Sequence, residues 1–341
     1  MIDQFINYRK YFIIAGSLLS SLVLAFLILF NVILSWDISC TNPDAILVIP
    51  EGATVNAVCD SLILKMCDLD KNVFKAGLYL QGKSRGIFSG KYPLKGIHDV
   101  GGLTKLITAP SGERIKVTIL EGWELERIID ELNLYLEIDP YKFRQTCYDH
   151  NFMSTLNIQA PSLEGFLFPD TYYFFTSYLE EDIIRTMVNQ FNYHYNKSVK
   201  YFAGQRGMSK LETTTMASII QGEAMYEDEM KTISSVYHNR LKKDMLLQAD
   251  PTVQYAIAGP NIRLYYKHLK TESAYNTYKY KGLPPGPINS PGLAALQAAV
   301  MPITTDFLYF VANGTGRHTF TRTMKEHNRA IAQIKKNRKK G

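Results

Sequence analysis

The sequence predicts an α+β protein: an N-terminal transmembrane helix, then a small α+β module, then a larger mixed α+β domain. Three observations carry that prediction. Residues 11–36 read YFIIAGSLLSSLVLAFLILFNVILSW, with no charged side chain. Residues 41–150 alternate short β-branched runs, glycine turns and helical stretches. From about residue 150, long segments of helical period alternate with aromatic-rich and proline-rich stretches. The predicted divisions are a cytoplasmic N-terminus at 1–10, the span at 11–36, the module at 41–145, the mixed domain at 146–332 and a basic tail at 333–341.

The span exceeds the roughly 20 apolar residues that cross a bilayer. It is too long for a signal-peptide core and lacks a small-residue cleavage site. Asp37 stands where a lipoprotein site at Cys40 would need an apolar residue. Arg9 and Lys10 precede the span, while Asp37 and Asp44 follow it. The positive-inside rule leaves the N-terminus in the cytosol and sends the body across the membrane.

The chain has 341 residues, 46% hydrophobic and 21% charged, a globular balance. Its formal charge is +6. Lys335, Lys336, Arg338, Lys339 and Lys340 lie in the tail, so the body is close to neutral and no basic stripe points to nucleic acid. The tail itself reads as a solvated, disordered end. The four cysteines fit no zinc spacing. Cys59 and Cys67 are spaced to pair in an oxidising compartment, and equally read as buried thiols.

Within the module, VIPEGATVNAVCDSL (48–62) resembles VTILEGWELERIIDEL (117–132). Each reads as a strand, a Glu-Gly turn and an amphipathic helix, with Val55, Val58 and Leu62 in the first, and Leu125, Ile128, Ile129 and Leu132 in the second. KAGLYL (75–80) and SGKYPL (89–94) read as short strands, and RIKVTIL (114–120) as a strand leading into the second unit. Strand, turn and helix in this size range are LysM-like. A spacer that lifts the rest off the membrane is the other reading.

In the larger domain, helices are expected over about 180–200, across 211–243 and in LAALQAAVMP. GLPPGPINSPG (282–292) is a rigid loop, because its prolines fix φ and forbid helix. LYFVANGTGRHTFT (308–321) reads as a hairpin turning at Asn313-Gly314. No phosphate loop, nucleophile elbow or HExxH helix is present in the sequence.

One stretch carries chemistry. In TTTMASIIQGEAMYEDE (213–229), a helical wheel puts Met216, Ile219, Ile220 and Glu223 on one stripe and turns Gln221 away. An ionised carboxylate facing a core costs several kcal/mol unless paired. Three resolutions are open. The helix ends and Glu223 reaches solvent; Arg240 or a backbone donor satisfies it; or a cleft raises its pKa so that it stays protonated. The last is what an acid catalyst near neutrality needs. Gly222 removes a side chain beside it and would let a substrate chain approach. The helix breaks near Tyr226, and a second starts at Asp228 with Met230, Ile233, Tyr237 and Leu241 on one face.

Five ordered stretches then carry a resemblance. LEGFLFPDTYYF (163–174), TMASIIQGEA (215–224), VYHNRLKKDMLLQADPTVQYA (236–256), AYNTYKYKGLPPGPINSPG (274–292) and LYFVANGTGRHTFTRTMKEHN (308–328) together resemble the endolytic murein transglycosylase family, the YceG-like or MltG-like proteins. The resemblance covers about residues 45–330. It implies one membrane span, a LysM-like region and a catalytic domain in this order. It also implies cleavage inside nascent peptidoglycan strands, with 1,6-anhydro-N-acetylmuramic acid ends. The family's catalytic Glu is the last of its ASII-E-x-E pattern, which falls on Glu223. The first Glu of that pattern is Gln221 here.

The resemblance implies no cofactor and no metal. Its partners are peptidoglycan strands and, from family and membrane location, cell-wall synthases. Around the acid, Gln248 and Asp250 offer groups for sugar hydroxyls, although Asp250-Pro251 also makes a turn. Tyr275 is placed to stack on a sugar and Asn276 to bond an acetamido group; a packed tyrosine and a turn asparagine are the plain alternatives. Glu164 and Asp170 bracket GFLFP, each a second acid or a turn former. His318 and the aromatics at 172–175 read as structural. Two other functions stay open: a muramidase using water, with Asp170 or Asp250 as base, and a non-catalytic glycan-binding scaffold.

Overall fold

A computed structural model describes residues 2–338 apart from 43, 66, 111 and 258–261. The chain folds as two compact units. One comprises residues 1–114 with 175–182, the other 115–174 with 183–341. By packing, residues 115–145 therefore go with the second unit, and the two strand–turn–helix repeats lie one in each.

The first unit begins with α1 (Ile2–Leu34). Residues Phe12–Leu34 have a mean hydropathy of 2.6, and none of their best span window is buried in protein. The helix is long and apolar enough to cross a membrane. Its end is built into the unit: the Val100 N–H donates to the Trp36 carbonyl and the Ile38 N–H to the His98 carbonyl. Then come β1 (Ser39–Cys40), β2 (Ile46–Ile49), α2 (Val55–Leu64), β3 (Cys67–Asp68), α3 (Lys71–Leu80), β4 (Gly90–Pro93) and α4 (Val100–Ile107). β2 and β4 pair antiparallel, with Leu47 opposite Tyr92, both fully buried. Thr54, Asp70 and Asp99 cap the three helices with side-chain oxygens.

Two expectations are corrected here. KAGLYL is helical, not a strand. Asp70 starts the helix, Phe74, Gly77 and Leu78 form its buried face, and Gly77 leaves room for Val100 and for Ile33 and Leu34 of α1. Cys67 pairs with Cys40, not Cys59. The two are direct partners in the β1–β3 ladder, while Cys59 is a free thiol fully buried on α2 beside Val58 and Leu62.

The second unit follows from β5 (Arg114–Thr118), which pairs with β6 (Thr171–Phe175). Between them lie α5 (Leu125–Tyr135), α6 (Pro140–Tyr148) and α7 (His150–Thr155). α8 (Glu180–Ser198), α9 (Lys200–Gln205), α10 (Lys210–Glu223), α11 (Glu227–Lys242) and α12 (Asp250–Ile257) come next. A short 3₁₀ turn, His268–Lys270, leads through the proline loop to α13 (Leu293–Val300), the hairpin β7 (Tyr309–Ala312) and β8 (His318–Thr321), and α14 (Met324–Arg338). α10 packs chiefly on α13, whose Ala295, Leu296, Ala298 and Ala299 are buried. Small side chains let the two helices approach closely.

The hairpin turns at Asn313-Gly314 through a longer loop, closed by the Asn313 N–H on the Arg317 carbonyl. Tyr172 and Phe174 face the core, while Tyr173 faces out. Residues 333–338 of the tail are helical rather than disordered, with Lys335 and Lys336 near the helix C-terminus, where positive charge is favoured. Residues 339–341 lie outside the described residues.

Candidate active site

α10 explains the position of Glu223. Ser209 opens the helix with a capping box: its hydroxyl accepts from the Glu212 N–H, and the Glu212 carboxylate accepts from the Ser209 N–H. Every residue from Thr213 to Ile220 is buried, so the helix is enclosed on all sides. Glu223 is its last residue and half-buried. The chain then turns through Ala224–Tyr226 into α11, slightly earlier than the expected start at Asp228.

The partner of Glu223 is a tyrosine, not an arginine. The Tyr237 hydroxyl, fully buried on α11, donates to Glu223 Oε1 at 2.8 Å. Arg240 is committed elsewhere: its guanidinium donates to the carbonyls of Leu308 at 2.7 Å and Leu247 at 2.6 Å. Among the described residues no ion pair forms on Glu223. Burial pushes its carboxyl up to about 7, with the nearby Asp250 charge adding to the rise. The Tyr237 hydrogen bond, the Arg240 charge and the Asp250 backbone hold it from rising further. The helix end and the raised pKa thus both answer the question posed by the apolar stripe.

Glu223 lines a groove of about 450 Å³. The turn before α5 supplies Glu121, Gly122 and Glu124. The last turn of α10 supplies Gln221, Gly222 and Glu223, and the first half of α12 supplies Asp250, Pro251 and Gln254. Ile288 and Asn289 come from the proline loop. Gly222 is needed for packing: a Cβ there would lie 2.8 Å from Pro251 Cβ. The space expected for a substrate chain is filled by the proline.

The loop and the turn are tied together. The Gly122 N–H donates to the Ser290 carbonyl and the Ser290 N–H to the Trp123 carbonyl, both at 2.8 Å. Gln221 bridges the same pair, accepting from the Gly292 N–H at 3.1 Å and hydrogen-bonding the Glu121 carboxyl. Burial pushes the Glu121 and Glu124 carboxyls up, with Glu227 adding to the rise at Glu121.

Of the other residues expected from sequence, only Asp250 joins Glu223 in the groove. Its carboxylate accepts from the Tyr278 hydroxyl at 2.6 Å. Gln248 is exposed with φ +50, its N–H donating to the Thr277 carbonyl, and does not line the groove. Tyr275 is half-buried and packs its ring on Tyr255, centroids 4.9 Å apart. Asn276 is fully buried and donates to the Leu269 and Thr271 carbonyls while accepting from the Tyr278 N–H, so it organises its own loop. Glu164 is buried beneath α5, where both carboxyl oxygens accept from the Leu125 N–H. Burial pushes Glu164 up to about 8. Asp170 is exposed at the start of β6 and accepts from Gln190. His318 binds Glu229 through its ring and its backbone N–H, both at 3.0 Å, as a hairpin anchor.

Sequence reasoning missed Tyr237, Glu121, Glu124 and Asn289 as site residues. Tyr237 was visible on the right face of α11, but a wheel does not say that its hydroxyl reaches the end of α10. Glu121 and Glu124 were visible only as turn and helix start. Among the described residues no group of three or more His, Cys, Asp or Glu is placed to hold a metal.

Fold and site together define an α+β protein with one N-terminal apolar helix and an acidic groove in which the half-buried Glu223 is held by the Tyr237 hydroxyl. The sequence matches the YceG-like family over residues 47–333. It is 36% identical over 299 residues to the endolytic murein transglycosylase of Bacillus subtilis, covering 83% of this chain and 82% of the relative. It is 33% identical over 246 residues to a protein of the same name from Streptococcus pneumoniae, covering 64% of this chain but 44% of that longer protein. A crystal structure of a yceG-like protein from Listeria monocytogenes superposes with a TM-score of 0.59 at 32% identity, over 84% of this chain and 98% of that one. The chain belongs to the YceG-like family.

Proposed function

We propose that this protein is an endolytic lytic transglycosylase that cuts the bond between N-acetylmuramic acid and N-acetylglucosamine inside nascent peptidoglycan strands, leaving 1,6-anhydro ends and ending glycan elongation. The observation that carries the reading is Glu223: a half-buried carboxyl raised to about 7, bonded to one hydroxyl, facing a groove. The curated relatives named endolytic murein transglycosylase support the same chemistry.

At neutral pH a substantial fraction of Glu223 carries its proton. It donates that proton to the glycosidic oxygen as the C1–O bond breaks. The substrate's N-acetyl group assists departure and stabilises C1, so no protein nucleophile is required. Glu223, now a carboxylate, takes the proton of the substrate's own 6-hydroxyl as that oxygen bonds to C1. The acid is restored, and no water enters the products. Tyr237 fixes one carboxyl oxygen by its hydrogen bond. The intramolecular attack needs positioning and exclusion of water more than further catalytic groups.

The apolar helix anchors the protein in the cytoplasmic membrane, with residues 1–10 in the cytosol and both units outside. The part of the first unit after the helix serves as the LysM-like glycan-binding module or spacer, and the second unit, which supplies every residue lining the groove, as the catalytic domain. Cell-wall synthases in the same membrane supply the strands. Glu164 supports the wall of the groove by holding the Leu125 N–H, next to Glu124. The second reading, a water-using muramidase, is favoured by one observation: Asp250, a second carboxyl, lines the same groove.

The test replaces Glu223 with Gln, digests purified strands and analyses the new ends by mass spectrometry. We expect anhydro ends from the natural protein and at least a hundredfold less product from E223Q. Undiminished product from E223Q removes Glu223 from the mechanism.

A further inference from the structure

The groove has an uneven hydrogen-bonding inventory. No Lys, Arg or His is among the described residues that line it. Its neutral side-chain amides each spend one N–H within the protein: Asn289 to the Ser218 carbonyl at 2.9 Å, Gln254 to the Ile262 carbonyl, and Gln221 to Glu121. The proton on Glu223 is reserved for the leaving oxygen. What dominates the rest of the lining is acceptor capacity, on the carboxyls of Glu121, Glu124 and Asp250. Glu124 starts α5 without making a side-chain cap bond. Asn289 is 5% exposed, and its Oδ1 is buried with no partner at all. A buried carbonyl oxygen without a donor is costly, and a groove wall is where a ligand can supply one.

Muramic acid carries a lactyl ether on C3 of the ring whose C1 reacts. In a peptide-bearing strand that group ends in an amide, which offers an N–H and no charge. In a denuded strand it ends in a free carboxylate, which offers only acceptors and a negative charge. Resting on the proposed function, we infer that the groove selects strands whose lactyl group is amidated, as in strands that keep their stem peptides, over strands with free lactyl carboxylates. The acceptors at Glu124 and Asn289 take the N–H of an amide. A free carboxylate finds no cationic donor there. It faces like charge from Asp250 and from Glu121 and Glu124 where ionised, or requires a proton to be taken up. One such charge pair at groove distances is worth on the order of tenfold in affinity, ~1.4 kcal/mol.

The experiment uses the full chain in detergent and three uncrosslinked strand preparations of matched length. One keeps its stem peptides, one is stripped by an amidase, and one is stripped and then converted to lactyl methylamides. Binding is measured with E223Q, which leaves the strands intact, and cleavage with the natural protein. The expected result is about tenfold tighter binding of the peptide-bearing and methylamide strands than of the stripped ones. Equal or tighter binding of stripped strands overturns the inference. E124Q should narrow the gap several-fold while still binding methylamide strands, which shows that it is folded. An unchanged gap in E124Q overturns the assignment to this wall. If the natural protein cleaves none of the strands while the binding gap persists, the proposed catalysis fails and the selectivity stands.

Discussion

Glu223 is a proton donor whose pKa is set by its surroundings. The folded value of about 7 lies above the ordinary 4.5, and the first step needs the protonated form. Activity is therefore present below that value and falls as pH rises through it. The Tyr237 hydroxyl stabilises the carboxylate, so Tyr237→Phe should move this alkaline limb upward by about one pH unit, the worth of one charge-assisted hydrogen bond. The Asp250 charge opposes ionisation, so Asp250→Asn should move the limb downward by roughly half a unit. Rate profiles of strand cleavage between acid and alkaline pH check both signs. Shifts in the same direction in both variants would contradict the arrangement. The wheel over 216–223 singled out Glu223 because a carboxylate among fully buried Met216, Ile219 and Ile220 breaks an otherwise consistent pattern. The wheel did not supply the partner. Arg240 was the charged candidate by sequence, yet it spends its donors on the Leu247 and Leu308 carbonyls. Asn276 misled in the same way, because the partners of a buried amide are distant carbonyls that no local pattern encodes.

At the scale of elements, the groove depends on the close approach of α10 to α12. Gly222 against Pro251 sets that distance. Gly222→Ala should displace the last turn of α10, cost about 1–3 kcal/mol of stability and reduce turnover. Urea denaturation and cleavage assays check it; an unperturbed groove with full activity would show that the proline yields. The long helices α8 and α11 were legible because their apolar period is sustained, and α10 and the eight-residue α13 because their runs hold no helix breaker before the final turn. KAGLYL was not legible. Six residues of mixed apolar and small side chains fit strand and helix alike, and the deciding signals, the Asp70 cap and the α1 contact at Gly77, lie outside the stretch. The proline loop was legible as rigid. That it lines the groove through Ile288 and Asn289 depends on ties to residues 122 and 123, which are remote in sequence.

At the scale of the whole molecule, the chain passes from one compact unit to the other and returns briefly, through residues 175–182, to the first. Composition marked the span and a change of texture near residue 150. It did not mark the packing division at 114/115, because the repeat made residues 117–132 look like kin of 48–62. The disulfide escaped for a related reason: Cys40 and Cys67 meet across a ladder of two short strands, which spacing alone does not reveal. Its separation of 27 residues gives a stabilisation of about 3.5 kcal/mol by loop entropy. Cys40→Ser should lower the melting of the first unit by that order while the second unit keeps its transition. Calorimetry on the full chain under oxidising conditions checks this, and an unchanged profile would show the bridge to be idle.

The central claim is that one carboxyl passes a proton to the leaving sugar and takes another from the ring's own 6-hydroxyl, with water excluded. Digestion of intact strands in water enriched in heavy oxygen tests it directly. The account predicts new muramoyl ends that are anhydro, lighter than a reducing end by one water, and free of the heavy isotope. Reducing ends that carry heavy oxygen at C1 would contradict it and make the protein a hydrolase.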